Sequence, residues 1–183
     1  AALRHQQQGQ LARAIEEYEK SIAADPRNPA AYNNLGVALK ESGRLDLAIG
    51  AFEICLALDP NYEKALNNLG VIRYRQGQYE VAIGLFKQAL RINSANVESY
   101  TNLGIIYLLA QRYDDAAEAF QQALRYDPKL AEAHYNLGLL SERQGHREKA
   151  ERHYRKFVEL ASVRHADLVA KVQERLQYLA RGR

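Results

Sequence analysis

Along residues 29–62, apolar side chains recur at the three- and four-residue spacing of a helix face. Tyr32, Leu35 and Leu39 line a first stretch, and Leu45, Ala48, Ile49, Phe52, Leu56 and Leu58 line a second. Between them Ser42-Gly43-Arg44 reads as a turn, because glycine tolerates the left-handed backbone that closes a helix. The second stretch stops near Asp59-Pro60, since a residue before proline is pushed out of helical space. The pattern therefore predicts two short helices joined by a tight turn.

The same pattern returns every 34 residues. Leu-Gly pairs place Gly36, Gly70, Gly104 and Gly138 in register, followed by Ala48, Ala82, Ala116 and Ala150, then by Phe52, Phe86, Phe120 and Tyr154. A turn glycine recurs at Gly9, Gly43, Gly77 and Gly145, with Gln111 as the exception. Pro26, Pro60 and Pro128 close three units, and Ser94 and Ser162 stand at the proline position in the others. Glycine inside a helix costs about 1 kcal/mol relative to alanine, so its recurrence implies a steric requirement. Gly36 and Ala48 are expected to let the two helices of a unit approach closely, with Phe52 filling the space between neighbouring units.

These residues resemble the tetratricopeptide repeat family: an aromatic or apolar residue, then Leu-Gly, a turn glycine, Ala, Phe or Tyr, and Pro. The resemblance covers nearly the whole chain. It implies an all-α fold, a right-handed superhelical solenoid of helix-turn-helix units at 29–62, 63–96, 97–130 and 131–164. Residues 1–28 read as a partial unit with a truncated first helix, Gly9, Ala14, Tyr18 and Pro26 being in register. The chain starts mid-pattern and contains no methionine, so it reads as a fragment. Residues 165–183 are expected to hold a C-terminal capping helix through Leu168, Val172, Leu176 and Leu179, because the last face of a repeat array needs cover.

Asparagine is a poor interior helix residue, since its amide competes for backbone groups. Yet Asn34, Asn68, Asn102 and Asn136 stand two residues before each Leu-Gly glycine, with Asn33 and Asn67 beside the first two. In the family the first helix of each unit lines the concave groove, so the resemblance implies a ladder of amides there. An amide offers a donor and an acceptor, enough to bond the backbone of an extended peptide without reading its side chains. The alternative is that these asparagines bond neighbouring backbone groups. The ladder also resembles the repeat arms of protein O-glycosyltransferases, which hold substrate backbones in this way. That likeness stops at the four asparagines. Val37, Val71, Ile105 and Leu139 would form an apolar strip beside the amides. Lys64, Tyr74, Arg75, Glu98, Leu108, Glu132, Tyr135 and Arg143 vary between units and are candidates for specificity. A chaperone-type carboxylate clamp is matched only by Asn34 and Lys64, because Asn68 stands where that clamp has arginine.

Composition narrows the chemistry further. No apolar run is long enough to span a membrane. Cys55 is the only cysteine, which excludes an internal disulfide or a cysteine metal site, and it falls on a small packing position shared with Ala89 and Ala123. A buried, inert thiol is expected there. His146 and His153 are seven residues apart on a charged stretch and read as a solvated pair, since zinc would need further close ligands. No nucleophile–base pair or phosphate loop stands out, so no catalysis, metal or cofactor is expected. The net charge of +3 is uneven: residues 143–183 hold 11 Lys and Arg against 5 Asp and Glu, while the preceding residues hold 14 against 17. Nucleic acid is disfavoured, because the basic excess lies at one end and Tyr79, Tyr113 and Tyr154 fall on core positions.

The sequence thus reads as a non-catalytic protein–protein interaction module that binds an extended peptide or partner segment in its groove. The alternatives are a scaffold or assembly factor using convex or end surfaces, including a pilus- or secretin-type assembly lipoprotein. A third is a substrate-recruiting arm of a larger enzyme.

Overall fold

The computed structural model describes residues 2–161 and 165–181, so Ser162 at its repeat position lies outside the described residues. Ten helices and no strand occur among them: α1 Ala2–Ala24, α2 Pro29–Glu41, α3 Leu45–Leu58, α4 Glu63–Arg75, α5 Tyr79–Ile92, α6 Val97–Leu109, α7 Tyr113–Tyr126, α8 Ala131–Arg143, α9 Arg147–Leu160 and α10 Ala166–Arg181. The chain divides into two compact units, Ala1–Ser94 and Ala95–Arg183. The all-α helical-repeat class predicted from the sequence is what the described residues show.

In the first unit α1 packs on α2, α2 on α3, α3 on α4 and α4 on α5. Asn28 starts α2, its side chain accepting from Ala30 N and Ala31 N at 3.0 and 3.3 Å, with Pro29 as the first helical residue. Gly43 ends the same helix at φ +82°. Arg44 N donates to Leu39 O and Gly43 N to Lys40 O, so two carbonyls left over at the helix end are satisfied. Gln111 takes the same left-handed backbone at φ +59°, which explains how one unit keeps the turn without glycine. The repeat register also puts Gly9 at a turn position, but α1 runs unbroken from Ala2 to Ala24.

The recurrent glycines let the two helices of each unit approach closely. A Cβ on Gly36 would sit 2.6 Å from the Phe52 ring, and one on Gly70 would sit 2.8 Å from Phe86. The rings therefore enter a notch on the first helix of their own pair, and Phe52 shares a buried cluster with Ile15 and with Ala65 and Leu69 of the neighbouring units. The second unit repeats this with Gly104 under Phe120 and Gly138 under Tyr154. All four rings are almost wholly buried. Cys55 is buried beside Phe52, and burial pushes its thiol up to about 11, with the charge of Asp59 adding to the effect. It is a packing residue.

In the second unit α6 packs on α7, α7 on α8, α8 on α9 and α9 on α10. Val172 and Leu179 of α10 are buried with Phe157 and Tyr154. Arg175 of α10 pairs with Glu142 of α8, which also accepts from Tyr154 Oη at 2.9 Å. Burial alone would raise the Glu142 carboxyl, but the bonds from Arg175 and Tyr154 outweigh it and hold it below the usual carboxylate range. Of the three tyrosines assigned to the core, only Tyr154 is there. Tyr79 is 42% exposed, and Tyr113 is half-buried with its hydroxyl accepting from Arg143 at 3.0 Å.

His153 does not pair with His146. Its Nδ1 lies 3.1 Å from Nδ1 of His134, which the sequence reading passed over. His134 Nε2 faces Pro128 O at 3.2 Å, and a carbonyl only accepts, so that nitrogen carries the proton. His134 Nδ1 is then the acceptor and His153 Nδ1 the donor. The ring centroids are 5.4 Å apart, the separation of two nitrogens meeting head-on rather than converging on a shared ion. Among the described residues no group of three or more His, Cys, Asp or Glu is placed to hold a metal.

Two predictions follow from this packing. Gly104→Ala should destabilise the chain by about 1–3 kcal/mol through overpacking against Phe120, while Gln111→Gly should stabilise it by roughly 1 kcal/mol by relieving the left-handed backbone. Chemical denaturation of both variants checks the pair. Burial lowers the basicity of both His134 and His153. Their contribution to stability is therefore complete above the unfolded value of about 6.5 and is lost as pH falls through the lower folded values. Thermal melts across that window should show a decline that His134→Gln/His153→Gln flattens; an equally steep decline in that variant would refute the assignment.

Candidate functional site

The first helices α2, α4, α6 and α8 carry the eighteen candidate residues named from the sequence, and the structure sorts them into three groups. The first group is buried or packed inside a unit. Asn33 and Asn67 are 4% and 5% exposed, so neither side chain is open to a ligand. Val37 packs against the core of the first unit, among Ala38, Leu39 and Ala65. Tyr135 and Leu139 pack against the Phe157 and Val172 cluster, with the Tyr135 ring 5.4 Å from that of Phe157. A cavity of about 170 Å³ remains there, lined by Tyr135, Leu139, Leu168, Val172 and Arg175 among others. The cap thus covers the part of α8 expected to be open. Val71, Ile105 and Leu108 are half-buried.

The second group is the amide series, and its four members make different bonds. Asn34 is exposed, and its Oδ1 accepts from Asn33 Nδ2 at 3.3 Å. Asn68 Oδ1 accepts from Lys40 Nζ at 2.6 Å, a bond that crosses from α2 to α4. Asn136 Nδ2 donates to Glu132 O of its own helix at 2.9 Å. Asn102 Nδ2 is buried with no hydrogen-bond partner. The alternative raised from the sequence, bonding to nearby backbone, is seen at Asn136. In each of the other three, at least one end of the amide makes no bond among the described residues.

The third group lies at the helix ends. Lys64 is exposed in the first turn of α4, and Arg75 is exposed in its last turn. Tyr74 is half-buried, its ring 6.0 Å from that of Tyr79. Arg143 is drawn aside to Tyr113, with its guanidinium 5.6 Å from the ring centroid. Glu98 and Glu132 are exposed, and Glu132 lies 3.4 Å from His165.

The sequence reading missed Lys40 and Glu142. Both stand in the repeat register of Tyr74 and Leu108, 34 residues before the one and 34 after the other. Each sits one helix away from a charged or amide partner: Lys40 on Asn68, Glu142 on Arg175. At this register Lys40 and Glu142 reach from one first helix towards the helix two further along the chain.

The comparisons with known proteins agree with this architecture. A model described as "Tetratricopeptide repeat" matches residues 27–95 and 64–129, a second with that description matches 101–164, and one described as "TPR repeat" matches 4–43. No curated protein matches the sequence. Among solved structures, MamA is 26% identical with a TM-score of 0.75, the alignment covering 86% of this chain and 92% of that one. PilF of Pseudomonas aeruginosa, at 22% identity and a TM-score of 0.80 over 99% of this chain and 89% of that one, shares the fold. YrrB, titled a TPR protein with an unusual peptide-binding site, does so at 24% identity and a TM-score of 0.70, over 89% of this chain and 84% of that one. No helix among the described residues is long and apolar enough to cross a membrane. The chain belongs to the tetratricopeptide repeat family, whose members bind protein partners and generally carry no catalysis of their own.

Proposed function

We propose that the first-helix faces hold an extended segment of a partner protein, with the asparagine amides bonding its backbone. The observation that carries this reading is the half-occupied state of those amides. In the first unit Asn34 and Asn68 both spend the carbonyl end on a neighbour within the unit, and both keep Nδ2 without a bond. The internal bond fixes the orientation, so the remaining donor is held in place before a ligand arrives, which lowers the ordering cost of binding. In the second unit Asn136 keeps Oδ1 as an acceptor, and Asn102, whose Nδ2 is buried out of a ligand's reach, meets one only through its carbonyl end.

Side-chain selection falls to what remains open beside the amides. In the first unit that is Lys64, Arg75 and the half-buried Val71 and Tyr74, a basic and partly aromatic surface. The second unit offers Ile105 and Leu108 with Glu98 nearby, an apolar and acidic one. The two units therefore favour different stretches of a partner. YrrB shows that this fold carries a peptide-binding site in another protein.

A peptide array probed with the intact chain tests the reading, followed by titration of the strongest peptides. Each amide contributes net hydrogen bonding of about 0.5–1.5 kcal/mol, so Asn34→Ala/Asn68→Ala should weaken first-unit ligands roughly tenfold or more, with helicity retained. Asn102→Ala/Asn136→Ala should do the same for ligands of the second unit. Unchanged affinity in a folded variant carrying all four substitutions would make the asparagines architectural.

A further inference from the structure

Within the second unit, α10 rests on α9 and reaches α8 through Arg175, which pairs with Glu142. The cavity of about 170 Å³ lies between these three helices. Its walls are the rings of Tyr135 and Tyr154 and the side chains of Leu139, Leu168 and Val172. The two rings stand 6.5 Å apart at 45° to one another, so they form a corner rather than a stack. Tyr135, Leu139 and Leu168 stay half-buried, so the cavity opens to solvent beside α10.

The polar edge of the cavity is satisfied by the protein itself. Tyr154 Oη donates to one oxygen of Glu142 at 2.9 Å, and Arg175 bonds the other. Few polar atoms remain for an ordered water, which needs roughly two to four partners. An apolar cavity of roughly 150 Å³ lined by aliphatic and aromatic side chains takes up benzene, so the volume here suits one six-membered ring. The mouth adds a charge. Lys171 lines the cavity from an exposed position on α10, and among the described residues its ammonium forms no ion pair. Asp167 and Glu174, about one turn away on either side, do not pair with it. Since Arg175 and Glu142 neutralise each other, the mouth is left with one positive charge.

We infer that this cavity is a binding site for an aromatic carboxylate, with the ring among Tyr135, Leu139 and Leu168 and the carboxylate on Lys171. Edge-to-face contact with the two tyrosines favours a ring over an aliphatic chain. The carboxylate lies at the rim and keeps much of its water, so the charge contributes selectivity more than affinity. A free arylalkanoic acid and a protein chain ending in phenylalanine carry the same chemistry. The site stands apart from the amide series, because none of the four asparagines lines it.

The test is an NMR titration of the intact chain with N-acetyl-phenylalanine, read at the methyl groups of Leu139, Leu168 and Val172. A ligand of about fifteen non-hydrogen atoms at ordinary efficiency dissociates at about millimolar concentration, so the titration runs to roughly 20 mM. The methyl signals should shift and saturate. N-acetyl-phenylalaninamide, which lacks the charge, should bind about two- to fivefold more weakly, and N-acetyl-alanine, which lacks the ring, should shift nothing. Lys171→Gln, at an exposed position, should abolish the difference between acid and amide. Leu168→Trp fills the cavity and should abolish binding, with helicity checked by circular dichroism. A parallel titration with 3-phenylpropanoate separates the two sources: tighter binding of N-acetyl-phenylalanine assigns the site to a chain end, and tighter binding of 3-phenylpropanoate assigns it to a free acid. The variant with all four asparagines changed to alanine should titrate as wild type does, so failure of the amide reading leaves this site standing. Methyl signals unmoved by N-acetyl-phenylalanine at the top of the range overturn the inference. Equal binding of acid and amide by the wild type, or undiminished binding by a folded Leu168→Trp, overturns it too.

Discussion

An aromatic ring seated on a glycine is the contact on which each helix pair depends. Phe52 on Gly36, Phe86 on Gly70, Phe120 on Gly104 and Tyr154 on Gly138 all bring the second helix so close that no Cβ fits beneath the ring. Burying such a side chain contributes on the order of 1.5–3 kcal/mol, which offsets the roughly 1 kcal/mol that an interior helix glycine costs relative to alanine. Short helices of 13 or 14 residues are marginal on their own in water. Locked in pairs by the ring, they become units that present a first-helix face and a second-helix face at fixed relative positions.

That locking leaves other positions of the repeat free to diverge. Asn34, Asn68 and Asn136 occupy one register but reach three different partners, and Asn102 Nδ2 reaches none, while the residue at the place of Lys40 differs between units. Where it is Lys40, the next amide is held by an ammonium; where it is Leu108, Asn136 turns back to its own helix. The same freedom appears on the second helices, where Leu47 and Val81 face outward in one unit and Asp115 and Lys149 stand in the equivalent places of the other. A shared scaffold with unit-specific surfaces suits a protein that binds other proteins.

Much of the fold was legible in the sequence because its causes are local. Helix ends depend on residues a few positions away: Asn28 with Pro29, Gly43 at positive φ, and Asp59, whose Oδ1 accepts from Asn61 N at 2.9 Å. The site was less legible, because exposure depends on what packs above a residue. Asn33 and Asn34 are adjacent and chemically identical, yet one is buried and the other exposed. Tyr135 and Leu139 looked open until α10 covered them. His153 was paired by sequence distance with His146, whereas its neighbour in space is His134, nineteen residues away on a facing helix.

The sequence by itself determined the all-α repeat class, the 34-residue period and the turns at Gly43, Gly77 and Gly145, since periodicity, glycine and proline act through the backbone within a few residues. Tertiary structure decided which amides keep a free end, which tyrosine becomes core and where apolar side chains are left in the open. Those outcomes depend on side chains from separate helices meeting at distances of a few ångströms. A 34-residue period says which positions are equivalent, but not what lies opposite each of them.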